Sequence, residues 1–437
     1  MLKRLVYCPE LIVIGILILL FGITQAHALL LIVVLMGVAI SFALPFYRSV
    51  QLAFFLIPCL NVFVGSPYIS ISLATLIYLA IFGRYIMTQL FHTQYFIPGV
   101  IATIVVVGYE LMHLIYNPVM LSTQTVRWMI LFVFVSLLLF DKRKYIEFGQ
   151  LRFVVLIGFI TSTFYGLLKD IFHPVTFYHA DAIARFAGGA GDPNNFGLLC
   201  LLLIFFYLPS VPKQPIKLSQ LMILVGLLAA GSLTVSRSFF LVSFFSLFLY
   251  FLLYFRAAIG EIFFRTLFGI SLGILAGIFL VLSGATEHIN LDIMSRFDSD
   301  NLSELTGARS DIAKEYVKMF LAQEPDYMLF GGGINGYLGY YNYYFGVEKI
   351  FEEVVGPHNT FLEMLVSLGI LGSFVFIYFV YAGFKAEKIR TRNYSFYRLS
   401  YLPIIVFLLY CLSLQNLGKY SSYFIVMMII YNTYRKD

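Results

Sequence analysis

Long uninterrupted apolar runs constrain this chain more than any other feature. A helix needs about 20 mostly apolar residues to cross a bilayer, and runs of that kind centre near residues 15, 36, 57, 77, 106, 130, 161, 202, 226, 247, 274, 370, 407 and 427. They are continuous rather than alternating, which argues against the strands of a membrane barrel. Hydrophobic residues fill 60% of the 437 positions and charged residues 12%, against roughly 25% charged in an average soluble domain. The expectation is an all-α polytopic membrane protein, a single integral domain over residues 1–437 with about fourteen transmembrane helices.

An even number of spans returns both termini to one side. Lys3, Arg4, Arg48, Arg84, the "DKRK" run ending at Lys144, Lys213, Lys217, Arg256, Arg265, "FKAEKIRTR" and the final "YRKD" all fall on one face. Cytoplasmic loops are the ones enriched in Lys and Arg, so that face is read as cytoplasmic. The net charge of +6 is scattered over these connections instead of forming a stripe, so it signals topology and not a nucleic-acid partner. Cys8, Cys59, Cys200 and Cys411 are widely separated and lie in or near apolar runs. That spacing suits small buried thiols better than a metal site or a disulfide framework. "MLKR", an apolar stretch and "AHA" imitate a cleavable signal. A second apolar run from Leu29 follows at once, however, and suits a tight helical hairpin.

The opposite face carries one medium loop, residues 170–194, and one long loop, residues 284–357. Within the long loop, Ile312, Tyr316, Met319 and Phe320 recur at helical spacing while Lys314 and Lys318 lie elsewhere, predicting an amphipathic helix near the membrane surface. The tyrosines from Tyr337 to Tyr344 suit an interfacial belt, and their rings could also stack on sugars. "DSD" at Asp298 to Asp300 lacks companions that would complete a metal site.

The polar residues of this outer face carry the functional argument. Arg185, Arg237, Arg296 and Arg309 lie at or beyond the outer ends of spans, where cations are usually scarce. Each alone fits a snorkelling or carbonyl-bonded arginine at a helix end. As a set they suit a diphosphate, because guanidinium forks match phosphate oxygens bidentately. In "GDPNNFG", Asp192 is placed to cap a helix, while Asn194 and Asn195 could cap, or hydrogen-bond a sugar or the neighbouring loop. "TFLE", Thr360 to Glu363, fits a capping box. His358 and Asn359 stand just ahead of it, beside the positive end of a helix. Capping does not need the histidine. An imidazole titrating near neutrality could accept a proton from a sugar hydroxyl. Ser367, Gly369 and Gly372 read as small packing residues.

In order along the chain, "RFAGGAGDPNNFG", "TVSRS", "SRF", "TGAR", "LFGGGINGY" and "PHNTFLEMLVSLGILG" resemble the O-antigen polymerase and ligase superfamily over roughly residues 180–375. The resemblance implies a GT-C-like, all-helical membrane glycosyltransferase with its active site on the outer face of the bacterial cytoplasmic membrane. It implies a metal-independent, inverting transfer that needs no cofactor, from a glycan carried on undecaprenyl diphosphate to another lipid-linked repeat. By the same resemblance Arg185, Arg237 and Arg309 hold the donor diphosphate, and His358 is the base or orients the acceptor. Arg296 and Glu363 match less closely, and Asn194 and Asn359 are candidate substrate contacts. A chain-length regulator is a further candidate partner beside membrane lipid. A ligase, which passes the glycan to a final acceptor, is the alternative reading. A flippase or exporter is another, but transporters of inverted repeats show paired broken helices in both halves, and here the polar features crowd into the later half.

Overall fold

The computed structural model describes residues 8–63, 73–88, 146–173, 185–208, 216–255, 309–333, 356–391 and 401–414, with isolated positions between 104 and 112. Every regular element among them is helical. Two hairpin-linked helices, α1 (Pro9–Thr24) and α2 (His27–Ala43), are followed by α3 (Phe46–Leu56), a 3-10 helix (Ile57–Phe63) and α4 (Leu73–Thr88). The middle of the chain supplies α5 (Phe148–Phe172), α6 (Pro193–Tyr207), α7 (Leu218–Ser232) and α8 (Arg237–Phe255). The last described elements are α9 (Arg309–Leu321), α10 (Pro325–Phe330), α11 (Thr360–Thr391) and α12 (Leu402–Cys411). Of the fourteen expected spans, those centred near 15, 36, 57, 77, 161, 202, 226, 247, 370 and 407 coincide with described helices. The ones near 106, 130, 274 and 427 lie outside the described residues, wholly or for the most part.

Among the described residues, two stretches, Phe46–Phe63 and Gly149–Phe172, are long and apolar enough by themselves to cross a bilayer, and eight further apolar helical stretches are shorter. The outside of the bundle fits a hydrocarbon solvent: Leu35, Leu218 and Phe244 are each at least 70% exposed, an apolar perimeter that water would disfavour.

The core gathers around α6. Its sequence is apolar on every side, and every residue from Asn194 to Phe206 is buried, as a helix without a polar face requires. Helices α5, α7, α8 and α12 all pack on it. Asp192 starts α6 by accepting from the amides of Asn194 (2.8 Å) and Asn195 (3.0 Å), with Pro193 in the first turn, so the predicted cap is in place. The four cysteines are buried and not disulfide-bonded.

The two ends of the bundle differ in chemistry. At one end Arg48 pairs with Glu10 at 3.1 Å, and Arg84 donates to the carbonyls of Ser41 and Phe42, closing the last turn of α2. Arg152 at the start of α5 donates to the Phe206 carbonyl at 2.6 Å, where α6 ends. Nearby, the Gln220 amide at the start of α7 donates to the Tyr207 carbonyl at 2.7 Å. At the other end lie the starts of α6, α8 and α11. Among the described residues, Arg48, Arg84 and Arg152 therefore lie at one bundle end and Arg185, Arg237 and Arg309 at the other.

Close backbone contacts lock α5 against α3. A Cβ built on Gly158 would stand 2.1 Å from the Phe55 carbonyl oxygen, whereas one on Gly226 in α7 meets nothing within 4 Å. Gly158→Ala should destabilise the protein by about 1–3 kcal/mol through overpacking and lower its thermal unfolding midpoint in detergent. Gly226→Ala, which only removes helix-interior glycine, should leave that midpoint unchanged or raise it.

Candidate functional site at the arginine end of the bundle

The site is built on the elbow between α7 and α8, residues 233–236. Thr234 and Val235 bond back to the end of α7, the Thr234 amide to Gly231 and the Val235 amide to Ser232, both at 3.1 Å. Val235 takes a φ of +46°, a region that costs a β-branched residue conformational energy and holds only where its surroundings enforce it. Its side chain is buried, so burial on all sides supplies that enforcement. The elbow turns the carbonyls of Leu233 and Thr234 toward the segment before α6. There they accept from the Phe186 amide (3.2 Å) and from Arg185 Nε (3.0 Å).

Arg185 also donates through Nη2 to Asn194 Oδ1 at 3.2 Å, and the same oxygen accepts from Ser236 Oγ at 2.7 Å. Ser236 caps α8, since its hydroxyl accepts from the Phe239 amide at 3.3 Å. Arg237 is the first residue of α8, and Arg309, the first residue of α9, donates to Ser238 Oγ at 3.3 Å. Arg185 and Arg309, 124 positions apart (309 − 185), are thus both bonded at the helix start that Arg237 opens, where the helix dipole favours an anion.

Glycines bring Arg185 into this position. Gly188 and Gly191 adopt positive φ, +52° and +70°, and a Cβ on Gly191 would lie 1.7 Å from Asn61 Nδ2. That Asn61 amide donates to the Ala190 carbonyl at 2.7 Å, and the Gly189 amide donates to Ser162 Oγ at 2.9 Å. The "AGGAG" run therefore lies flat on α5 and the 3-10 helix, with Arg185 delivered to the elbow at its leading edge.

His358 stands at the same end, just before α11, with a φ of +46°. The predicted capping box is shifted by one residue. Asn359, not Thr360, is the cap: its Oδ1 accepts from the amides of Phe361 (2.9 Å) and Leu362 (3.3 Å), while its Nδ2 donates to the Leu412 carbonyl at 3.3 Å. Thr360 instead donates its hydroxyl to Leu414, a contact with the far end of α12 that takes it out of capping. Glu363, one residue too late to close a box, is 2% exposed. Asn359 accordingly holds the start of α11, and Asn194, 8% exposed, accepts from Arg185. Helix α12 connects the two halves of the site. It holds the start of α11 through Leu412 and Leu414, and its Tyr410 packs on α6 beside Gly197, within electrostatic reach of Arg185 and Asp192.

Arg296, Asp298 to Asp300 and the tyrosines from Tyr337 to Tyr344 lie outside the described residues. In the described part of the long loop, Ile312, Tyr316 and Met319 of α9 are buried, while Lys314 and Lys318 are exposed and paired with Asp311 and Glu315. The predicted amphipathic helix is present, and α11 is one of the helices its buried stripe meets.

Gly369 does more than permit close packing. Its φ of +65° breaks α11 internally, leaving carbonyls of the preceding turn without helical donors. The amides of Gly332 and Gly333 supply the missing bonds, to Val366 at 3.1 Å and Ser367 at 2.7 Å. The sequence signal for this contact is the pairing of "FGGG" with "SLG", two glycine clusters far apart in the chain.

Among the described residues, the fold and this end together define a helical membrane protein with an arginine-rich polar site at one bundle end. Residues 222–377 match the family model of the O-antigen ligase. The likeness covers that segment, less than half of the chain. No curated protein matches the chain. The matched segment begins inside α7 and takes in Arg237, Arg309 and His358. Arg185 and Asn194 precede it, and hydrogen bonds to Thr234 and Ser236 tie them onto it.

In Gly331→Ala, a positive φ of +74° coincides with backbone atoms of Gly369 and Ser367 only 2.4–2.5 Å from the new Cβ. The substitution should undock residues 309–333 and speed their cleavage in limited proteolysis by about tenfold or more. Gly83→Ala, with nothing within 4 Å of its Cβ, should leave the rate unchanged.

Proposed function

We propose that the protein is a glycan polymerase of the bacterial cytoplasmic membrane. Its donor is an oligosaccharide on undecaprenyl diphosphate, and its acceptor is the non-reducing end of another lipid-linked repeat on the outer face. The acceptor hydroxyl attacks the anomeric carbon, the bond from that carbon to the diphosphate oxygen breaks, and the leaving diphosphate keeps the electron pair. A single displacement inverts the anomeric centre. Arg185, Arg237 and Arg309 meet the charge that grows on the leaving group, and His358 takes the proton from the hydroxyl. Positive groups fixed in place before the reaction need no reorganisation as that charge develops, which makes them the largest help such a site can give. Arg296 is proposed as a further donor contact, while Asn194, Asn359 and Glu363 hold the residues that touch substrate.

The observation that carries this reading is that Arg185, through Asn194 and Ser236, and Arg309, through Ser238, are bonded to the helix start that Arg237 opens. One observation favours a second reading: the matching model is described as a ligase, which would pass the glycan once to a final acceptor.

Incubation of the purified protein with an undecaprenyl-diphosphate-linked repeat distinguishes the two. A ladder of products identifies the polymerase, and one-step transfer to a different acceptor identifies the ligase. Arg237→Ala and His358→Ala should each slow transfer by about 100-fold or more while the protein stays in the membrane fraction. Full-length ladders from both variants would refute the site.

A further inference from the structure

We propose that Ser236 is a positioning residue for the donor site, setting the guanidinium of Arg185 through Asn194. The inference rests on the reading of Arg185 as a donor-diphosphate group. Ser236 has two partners that different properties of its hydroxyl satisfy. As an acceptor it caps α8 through the Phe239 amide at 3.3 Å, and as a donor it reaches Asn194 Oδ1 at 2.7 Å. Only the second bond bears on Arg185. Asn194 Oδ1 serves both Ser236 and Arg185 Nη2 (3.2 Å), so removing the hydroxyl frees the carboxamide to turn about its terminal torsion, which is broad and weakly held on its own. Both Ser236 and Asn194 are buried, at 1% and 8% exposure, so water does not readily replace the lost bond. Arg185 Nε stays on the Thr234 carbonyl at 3.0 Å. The loss of Ser236 should therefore let the fork swing about that anchor without releasing the side chain.

The two roles separate chemically. Glycine at a helix cap costs only a few tenths of a kcal/mol relative to serine, so Ser236→Gly nearly preserves the cap and removes the donor. Ser236→Thr keeps both. Transfer from an undecaprenyl-diphosphate-linked repeat should show a donor KM raised roughly tenfold in Ser236→Gly, with the acceptor KM and the kcat at saturating donor close to the parent. Ser236→Thr should restore the donor KM to within about twofold. In a double-mutant cycle, Ser236→Gly should add nothing on an Arg185→Ala background, because both substitutions remove the same oriented group. A purely structural serine would instead lower the active fraction, which leaves KM untouched, and would act additively with Arg185→Ala.

Either of those patterns overturns the proposal, as does an unchanged donor KM in Ser236→Gly when Arg185→Ala raises it. If Arg185→Ala itself leaves the donor KM unchanged, the reading of Arg185 as a donor group fails, and the role of Ser236 falls with it.

Discussion

One carboxamide oxygen, Oδ1 of Asn194, accepts both the Arg185 guanidinium and the Ser236 hydroxyl, and the architecture of the arginine end follows from that shared bond. Asn194 sits in the first turn of α6, the helix around which the bundle packs, so its position is fixed by the core. Whatever bonds to it inherits that rigidity. Arg185 comes from the glycine-lined strap before α6, and Ser236 from the elbow before α8. Arg309 then reaches the next turn of α8 through Ser238. Arg185 and Arg309, far apart in the chain, are thus bonded to neighbouring parts of one elbow and helix start.

The other side of the site depends on a broken helix. Gly369 interrupts α11 below the turns that follow His358, and the glycines after α10 supply the two amides that the break demands. The segment that begins with Arg309 and the segment that begins with His358 are thereby fastened to each other, through Gly332 and Gly333 on one and Val366 and Ser367 on the other. The start of α11 is fastened again by the carbonyls at the end of α12. His358 therefore belongs to a short helical piece fixed at both ends, and its positive φ is a local distortion that these anchors can sustain.

Much of this was legible in the sequence wherever the cause is local. Apolar run length gave the helices, "GDPN" gave the α6 cap, and the spacing of Ile312, Tyr316 and Met319 gave the buried face of α9. Contacts made at a distance were not legible. "HNT" offers two capping residues, and the choice of Asn359 over Thr360 is made by the Leu414 carbonyl, 54 positions away. Asn194 could be read as bonding a sugar or the neighbouring loop, but nothing in "DPNNFG" announces Ser236, 42 positions on, as its partner. The serines on either side of Arg237 were missed for the same reason: a hydroxyl's partner is set by tertiary packing. The glycines of "AGGAG" and "SLG" could be read as small, but not as backbone docking sites.

The central claim is that Arg185, Arg237 and Arg309 form one anion site at the α7–α8 elbow. Its most direct test is an electron cryo-microscopy map of the protein with undecaprenyl diphosphate. The account predicts diphosphate density among the three guanidiniums, with Asn194 still bridging Arg185 and Ser236. Diphosphate bound elsewhere, or guanidiniums directed away from one another with the headgroup in place, would contradict it.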